Sequence, residues 1–339
     1  MNKTILVTGG AGYIGSHVCW RLHDAGYTPV VLDNLSTGHE WAVKWGDLVR
    51  GDIGDADLIR TICTDYKPSA VMHFAALTDV AQSMREPDRF FDNNTARAKT
   101  LFDTAADCGI NHFVFSSTAA VYGVPHADGY VNEDTPLQPA NPYGESKIRA
   151  ENALRALDSR GVRSVVLRYF NVAGAAPDGI GIGEAHWPET NLLPRVILSG
   201  LGYEGPLSLF GNDYDTPDGT ALRDFIHVCD LADAHIAALH HMQNGGASDI
   251  VNLGTGHGYS VKQIIDAVET HLNKTIDVRI APRRPGDVPV MLTQTNKAQR
   301  VLGWTATSSL NDIISSAVTW HKSAFYADLV PSLQSHGTK

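Results

Sequence analysis

Between residues 4 and 33 the chain reads as a strand, a glycine loop, a helix and a second strand that ends in an acid. The run Thr4-Ile5-Leu6-Val7-Thr8 passes directly into Gly9-Gly10-Ala11-Gly12-Tyr13-Ile14-Gly15, which opens a helical pattern. Glycines at such a turn let the backbone fold tightly and approach a diphosphate, whose charge is then held by free N–H groups and the helix dipole. The run parses as G-x-G-x-x-G from Gly10 or as G-x-x-G-x-x-G from Gly9, and spacing alone does not choose. The second strand closes on Val30-Val31-Leu32-Asp33, with Asp33 18 residues beyond Gly15, where a carboxylate accepts from adenosine ribose hydroxyls. Asn34-Leu35-Ser36 follows with no Arg or Lys to receive a 2′-phosphate, which favours NAD over NADP. Gly51-Asp52-Ile53, after a third strand, suits the adenine edge. A glycine turn beside a surface aspartate is the bland alternative, and the order strand, loop, helix, acid argues against it.

The first half alternates β-branched runs with longer helical patterns, the signature of repeated βαβ units on a parallel sheet. Strands are predicted at Thr4–Thr8, Thr28–Asp33, Ala70–Ala75, Asn111–Ser117 and Arg163–Phe170, with helices at Gly12–Ala25, Asp55–Tyr66 and Pro87–Cys108. After Phe170 the texture changes: 171–183 and 202–220 are rich in Gly, Pro and small residues and read as long loops. Helical patterns return at Asp230–Met242, Ser260–Leu272 and Ser309–Tyr326, and strand-like runs at Asp249–Leu253 and Thr275–Ile280. The expectation is an α/β fold, a doubly wound Rossmann-type sheet over residues 1–170 with later segments returning to it. A smaller C-terminal α/β region over 171–339 would bind substrate, with Ser335–Lys339 as a frayed tail.

Composition excludes several classes. With 339 residues, 43% hydrophobic and 19% charged, the chain has enough apolar material for a large core. Its 27 basic against 37 acidic residues give a net charge of −10 without Lys/Arg blocks, a poor surface for nucleic acid. No apolar stretch approaches the roughly 18 residues of a membrane span, and the first ten residues do not read as a signal peptide. Cys19, Cys63, Cys108 and Cys229 are widely spaced, as expected for reduced thiols in a cytoplasmic protein.

Asn141-Pro142-Tyr143-Gly144-Glu145-Ser146-Lys147 reads as a helix start, capped by Asn141, with Pro142 in the first turn. Four residues return to one helix face, so Tyr143 and Lys147 point together at one ligand. A phenol with a pKa near 10 needs about three units of depression, roughly 4 kcal/mol, to act as a base at neutral pH. A nearby ammonium and a positive nicotinamide ring both favour the phenolate. Upstream, Phe113-Val114-Phe115 runs into Ser116-Ser117-Thr118, whose hydroxyls at the sheet's carboxyl edge either bond a substrate oxygen or merely cap local backbone.

This combination resembles the extended short-chain dehydrogenase/reductase family, and within it the branch that inverts UDP-hexoses at C4. The resemblance extends through His73-Phe74-Ala75-Ala76, Asp92-Asn93-Asn94, Leu167-Arg168-Tyr169-Phe170-Asn171, Phe210-Gly211-Asn212-Asp213-Tyr214, Arg223-Asp224-Phe225-Ile226-His227-Val228 and Ala281–Asp287. It implies Tyr143 as base, Lys147 on the nicotinamide ribose and Thr118 beside the sugar O4. Around NAD it places Gly9, Gly12, Tyr13, Ile14, Gly15, Asp33, Asn34, Asp52, Ile53, Phe74, Ala75, Ala76, Asn93 and Tyr169. For the UDP-sugar it implies Asn171 and Asn191 on the diphosphate, Phe210 on uracil, Arg223 and Arg284 on the phosphates, and Asp287 on the uridine ribose. It also implies a homodimer built on the 87–108 and 142–159 helices, and no metal.

The implied reaction is a transient oxidation at C4 of UDP-galactose or UDP-glucose, rotation of the 4-ketosugar, and return of the hydride to the other face. Two positions depart from the pattern: Thr78 stands where bacterial members carry a phosphate-binding lysine, and Met291 where a tyrosine restricts some members to unacetylated sugars. Methionine is flexible, so UDP-N-acetylhexosamines and UDP-pentoses stay open as alternatives. A 4,6-dehydratase would need an acidic pair where Ala119 and Ala120 stand. A non-catalytic NAD-sensing module could dispense with Tyr143 and Lys147.

Overall fold

The computed structural model describes residues 3–336 except 124, 126, 127 and 285. Positions 1–2, Pro285 of the basic turn and 337–339 of the expected tail lie outside the described residues. In chain order the first half comprises β1 (Thr4–Thr8), α1 (Tyr13–Asp24), β2 (Thr28–Asp33), β3 (Asp47–Arg50), α2 (Ala56–Tyr66), β4 (Ala70–His73), α3 (Val80–Arg85), α4 (Pro87–Phe91), α5 (Ala98–Asp107), β5 (His112–Thr118), β6 (Tyr130–Val131), α6 (Pro142–Arg155) and β7 (Arg163–Tyr169). The second half adds β8 (Asn171–Ala173), α7 (Leu192–Leu201), β9 (Leu207–Phe210), β10 (Leu222–His227), α8 (Val228–Gln243), β11 (Asp249–Leu253), β12 (Gly258–Ser260), α9 (Val261–Leu272), β13 (Val278–Ala281), β14 (Val290–Thr293), α10 (Asn296–Leu302), α11 (Leu310–Lys322) and α12 (Ala324–His336).

Seven strands form one parallel sheet in the order β11-β7-β5-β4-β1-β2-β3. The winding reverses between β1 and β4, and ligands of such sheets bind beyond the strand ends at that switch point. Each face buries its own core. Val7, Val18, Leu22, Val31, Leu231 and Leu239 fill the side covered by α1 and α8. Leu6, Ile59, Phe102, Phe113 and Leu154 fill the side of α2, α5 and α6. Strands buried on both faces need nearly continuous apolar runs, which β1, β2 and β7 supply.

The strands predicted at 4–8, 28–33 and 249–253 have the observed bounds, and the strand implied ahead of Gly51 is β3. Other boundaries differ for identifiable reasons. β4 stops at His73 because Phe74 N and Ala75 N both donate to Thr8 O, which turns the chain out of the sheet. The 87–108 helix is interrupted by a π-helical segment, Asp92–Arg97, between α4 and α5. The 309–326 helix is two helices: Ser323 leaves helical geometry at ψ 148°, and its hydroxyl accepts from Tyr326 N to start the next. That second helix continues through Ser335 to His336, where a frayed tail is expected. The 202–220 segment is not all loop, since β9 pairs with β13 in a separate two-stranded sheet.

β10, β12 and β14 form a smaller sheet with β6 at its end and β8 beside β10, over a core of Val196, Ile197, Phe225, Ile264 and Ile313. Because β6 comes from the first half and β11 from the second, each layer borrows chain from the other.

Candidate active site

The glycine loop turns tightly between β1 and α1. Gly9 lies at φ +74°, and a Cβ there would sit 2.5 Å from Ala75 N; a Cβ on Gly15 would sit 2.2 Å from Gly9 O. Gly12 N donates to Gly9 O and Gly12 caps α1 without any side-chain hydrogen bond. Gly9 and Gly15 are thus the glycines that the backbone contacts of this loop demand, while Gly10 packs against the Val31 side chain. The turn leaves the first N–H groups of α1 open at the sheet's carboxyl edge, which fits the diphosphate of a dinucleotide. Tyr13, in the first turn, donates its hydroxyl to Gly174 O at 2.6 Å.

Asp33 ends β2 with both carboxylate oxygens engaged, accepting from Ala11 N at 3.0 Å and Leu35 N at 2.8 Å. Burial raises its pKa above the ordinary value, while those two donors pull it back. Asn34 turns outward and accepts from Ser36 N. Asp52, just after β3, accepts from Gly54 N at 2.7 Å and pairs with Arg97 Nη1 at 2.6 Å. Ile53 is buried in the adjoining core.

At the other end of the switch point, α6 begins as the sequence predicts, with Asn141 accepting from Gly144 N. Tyr143 is half-buried, with its hydroxyl close to Thr118. Gly144 permits this approach, because a Cβ there would lie 2.4 Å from Ala120 O in the turn after β5. Lys147 Nζ donates to Ser116 O at 2.9 Å and stands 5.0 Å from the Phe115 ring centre. Tyr169, opposite Thr118 in the β5–β7 register, bonds Ser116 through its hydroxyl. Phe74 packs on His235 at 4.8 Å, and Asn93 donates to the buried Asn94.

The electrostatics correct one expectation. Burial pushes the Tyr143 phenol up, with the Thr118 hydrogen bond acting against it, and lowers Lys147 to about 7. The protein alone therefore does not depress the phenol; added positive charge at this position would be required.

The third cluster joins the second through the small sheet. Met291 packs with Ala119, Val121, Tyr122 and Phe170 beside Thr118, and lies opposite Arg223 in the β10–β14 register. Asp287 accepts from Arg284 Nε at 2.9 Å and faces Arg223 Nη2 at 3.9 Å. The Arg284 guanidinium stands 5.0 Å from the Phe210 ring centre. Two cations, an acid and a half-buried aromatic ring thus meet. Asn171 is exposed at the start of β8, and Asn191 caps α7 with its side-chain amide uncommitted to the helix.

Sequence reasoning missed the buried support behind Lys147. Glu151 receives Arg168 through Nε at 3.0 Å and Nη2 at 2.5 Å, and Ser117 Oγ at 2.5 Å; both partners of the ion pair are under 4% exposed. Arg168 Nη1 also donates to the Tyr122 hydroxyl, which donates to Asn252. The available signal was the ladder Tyr143, Lys147, Glu151 at i, i+4, i+8.

Residues 5–254 match the family model described as the NAD dependent epimerase/dehydratase family. The UDP-glucose 4-epimerase of Rhizobium meliloti is 47% identical over 94% of this chain and 97% of its own length. The crystal structure of UDP-glucose 4-epimerase from Brucella ovis in complex with NAD superposes with a TM-score of 0.91 at 42% identity, covering 94% of this chain and 98% of that one. The enzyme from Stenotrophomonas maltophila, solved with NAD and formylated UDP-arabinopyranose, has a TM-score of 0.91 at 36% identity, covering 96% and 99%. By sequence and by fold, the chain belongs to the NAD dependent epimerase/dehydratase family and groups there with the UDP-glucose 4-epimerases.

Proposed function

We propose that this chain interconverts UDP-galactose and UDP-glucose by inverting C4, with NAD as resident cofactor. The observation that carries the reading is the Tyr143 hydroxyl beside Thr118 with Lys147 anchored one helical turn away, at the switch point of a sheet whose glycine loop fits a dinucleotide. When bound, NAD supplies the hydride acceptor and a positive charge near the phenol. Tyr143, directly or through Thr118 Oγ1, takes the proton of the sugar 4-hydroxyl and later returns it to O4 once the hexose has presented its opposite face. Lys147 holds the ribose. Thr118 fixes the hydroxyl that reacts.

The remaining roles follow the same placement. Residues 1–170, completed by α8 and β11, hold the cofactor, and 171–339 mainly hold the UDP-sugar. Arg223 and Arg284 neutralise the diphosphate, which an acidic chain needs locally; Phe210 stacks on uracil and Asp287 accepts from the uridine ribose. Asn171 and Asn191 contact the diphosphate. Val80 and Met84 leave apolar surface on α3, which packs on α4 and α6; this supports a homodimer through these helices. No helix among the described residues is long and apolar enough to cross a membrane, and the four free thiols fit a reducing cytoplasm.

An NMR time course of purified protein with UDP-galactose, then UDP-N-acetylgalactosamine, with and without added NAD, tests the reading. Conversion of UDP-galactose supports it. Conversion of both makes the Met291 pocket permissive, and failure of both in the presence of NAD refutes the hexose reading and points to UDP-xylose.

A further inference from the structure

A cofactor diphosphate is dianionic, and the segments placed to surround it carry no full positive charge. The glycine loop with the first turn of α1 (9–16), the turn after β2 (34–38) and the loop after β4 (74–79) hold neither Lys nor Arg. Lys147, at the other end of the switch point, is turned to Ser116 O. The open N–H groups of α1 offer only the partial charge of a helix end. A full positive charge at the diphosphate therefore has to come from another segment.

The stretch ahead of α7 brings one there. A narrow cavity flanks the first turn of α1, bounded by Gly12 and Tyr13, by Thr37 and His39, and by Glu184 and His186. Glu184 is buried, and its Oε1 accepts from Ala185 N at 2.9 Å, His186 N at 3.1 Å and His186 Nδ1 at 2.5 Å. The Glu184 charge outweighs the burial that opposes protonation and raises His186 to about 9, so the ring is an imidazolium at neutral pH. With Nδ1 spent on the carboxylate, the outward donor is Nε2–H. Among the described residues none accepts from it, and the side chain is 37% exposed. The backbone that carries the ring is fixed from both sides: Glu184 O accepts from Trp320 Nε1 at 2.7 Å, and Ala185 O from His39 Nε2 at 3.0 Å. The imidazolium is therefore held in place before any ligand arrives, which lowers the entropy lost on binding. The hydroxyls nearest to it on α1 are committed elsewhere, Tyr13 to Gly174 O and Ser16 to Tyr13 O.

We infer that His186 is a cofactor-binding residue, reaching from the stretch ahead of α7 to set a positive charge beside the NAD diphosphate. The inference rests on NAD seated at the glycine loop. Two substitutions separate charge from packing. His186→Gln keeps an N–H for Glu184 and removes the charge, whereas His186→Lys restores a charge without the ring. The side chain is half-exposed, so neither change should unfold the chain, and melting temperatures check this.

The test follows loss of NAD from purified holoenzyme at low and high KCl, with released cofactor trapped by alcohol dehydrogenase and ethanol and read as NADH absorbance. The UDP-galactose KM is measured alongside, with NAD in excess. Wild-type loss should quicken with salt, because an exposed pair of opposite charges is screened. His186→Gln should lose NAD about tenfold faster at low salt, the effect of one charge-assisted hydrogen bond. It should also show a weaker salt dependence and an unchanged UDP-galactose KM, and His186→Lys should recover most of the retention. Wild-type retention and salt dependence in His186→Gln would overturn the inference. Faster loss that keeps the wild-type salt dependence overturns it too, since that marks His186 as a packing residue of its loop. A raised UDP-galactose KM with NAD fully retained overturns it by turning the charge toward the sugar nucleotide. A wild type that neither holds NAD nor takes it up when added would instead overturn the cofactor reading beneath the inference.

Discussion

Arg168→Met is a decisive perturbation of the buried support. The substitution keeps most of the side-chain volume but removes three donors, two to Glu151 at 3.0 and 2.5 Å and one to the Tyr122 hydroxyl at 3.1 Å. Burial works against the Arg168 charge, yet the Glu151 contacts outweigh it and hold the guanidinium firmly protonated. Glu151 would be left 3% exposed with Ser117 as its remaining partner. Stranding one member of a buried pair costs about 3–5 kcal/mol. At about 2 °C per kcal/mol for a chain of this size, that is a fall of roughly 6–10 °C in melting temperature. Replacing both partners, Glu151→Met with Arg168→Met, removes the stranded charge and should recover most of the loss, because apolar replacement of a buried pair is often neutral. Reversible urea unfolding of the two single variants and the double variant gives the coupling directly. A single-variant cost below about 1 kcal/mol, or additive costs in the double variant, would refute the argument.

Other expectations follow from the same geometry. Tyr143→Phe should retain NAD and lose about 10²–10⁴-fold in kcat, measured by NMR conversion; surviving epimerisation would remove Tyr143 as base. Gly144→Ala, meeting Ala120 O at 2.4 Å, must push α6 away from Thr118, and a displacement of this kind costs on the order of 10²-fold in kcat. Unchanged kinetics would show that the turn yields freely. His17, His235 and His321 each donate Nδ1 to the carbonyl four residues earlier, and each Nε2 is buried without a partner. Burial lowers all three to about 4. The unfolded chain takes their protons near pH 6.5 and the folded one only near 4, so stability is intact above 6.5 and lost as pH falls to 4. His321→Phe should reduce the proton slope of unfolding by about one in that window; an unchanged slope refutes the assignment.

The βαβ half was legible because its strands are buried on both faces and its helices on one, so periodicity reports burial directly. β1 and β2 have the predicted bounds for that reason. The small sheet was not legible: β6 has two residues and β8 three, too short for any period, and their partners lie far along the chain. The cofactor loop could be read because glycine records backbone conformation in the sequence. The cluster of Phe210, Arg223 and Asp287 could not be assembled from spacing, since its members are brought together by the β9–β13 and β10–β14 pairings.

The arrival of β11 at the edge of the large sheet carries a consequence for how the protein is made. Its neighbour β7 ends at residue 169 and β11 begins at 249, 80 residues later. During synthesis at about 5–20 residues per second, β7 waits roughly 4–16 s with its outer hydrogen-bonding edge unpaired. Throughout that interval α8, which covers one face of the same sheet, is also still inside or behind the ribosome. A nascent chain in this state presents a long apolar strand edge to any neighbour. Arrest of translation between about residue 210, when β7 has cleared the ribosome, and residue 249 should therefore yield nascent chains that recruit chaperones, whereas arrest some 40 residues past β11 should not.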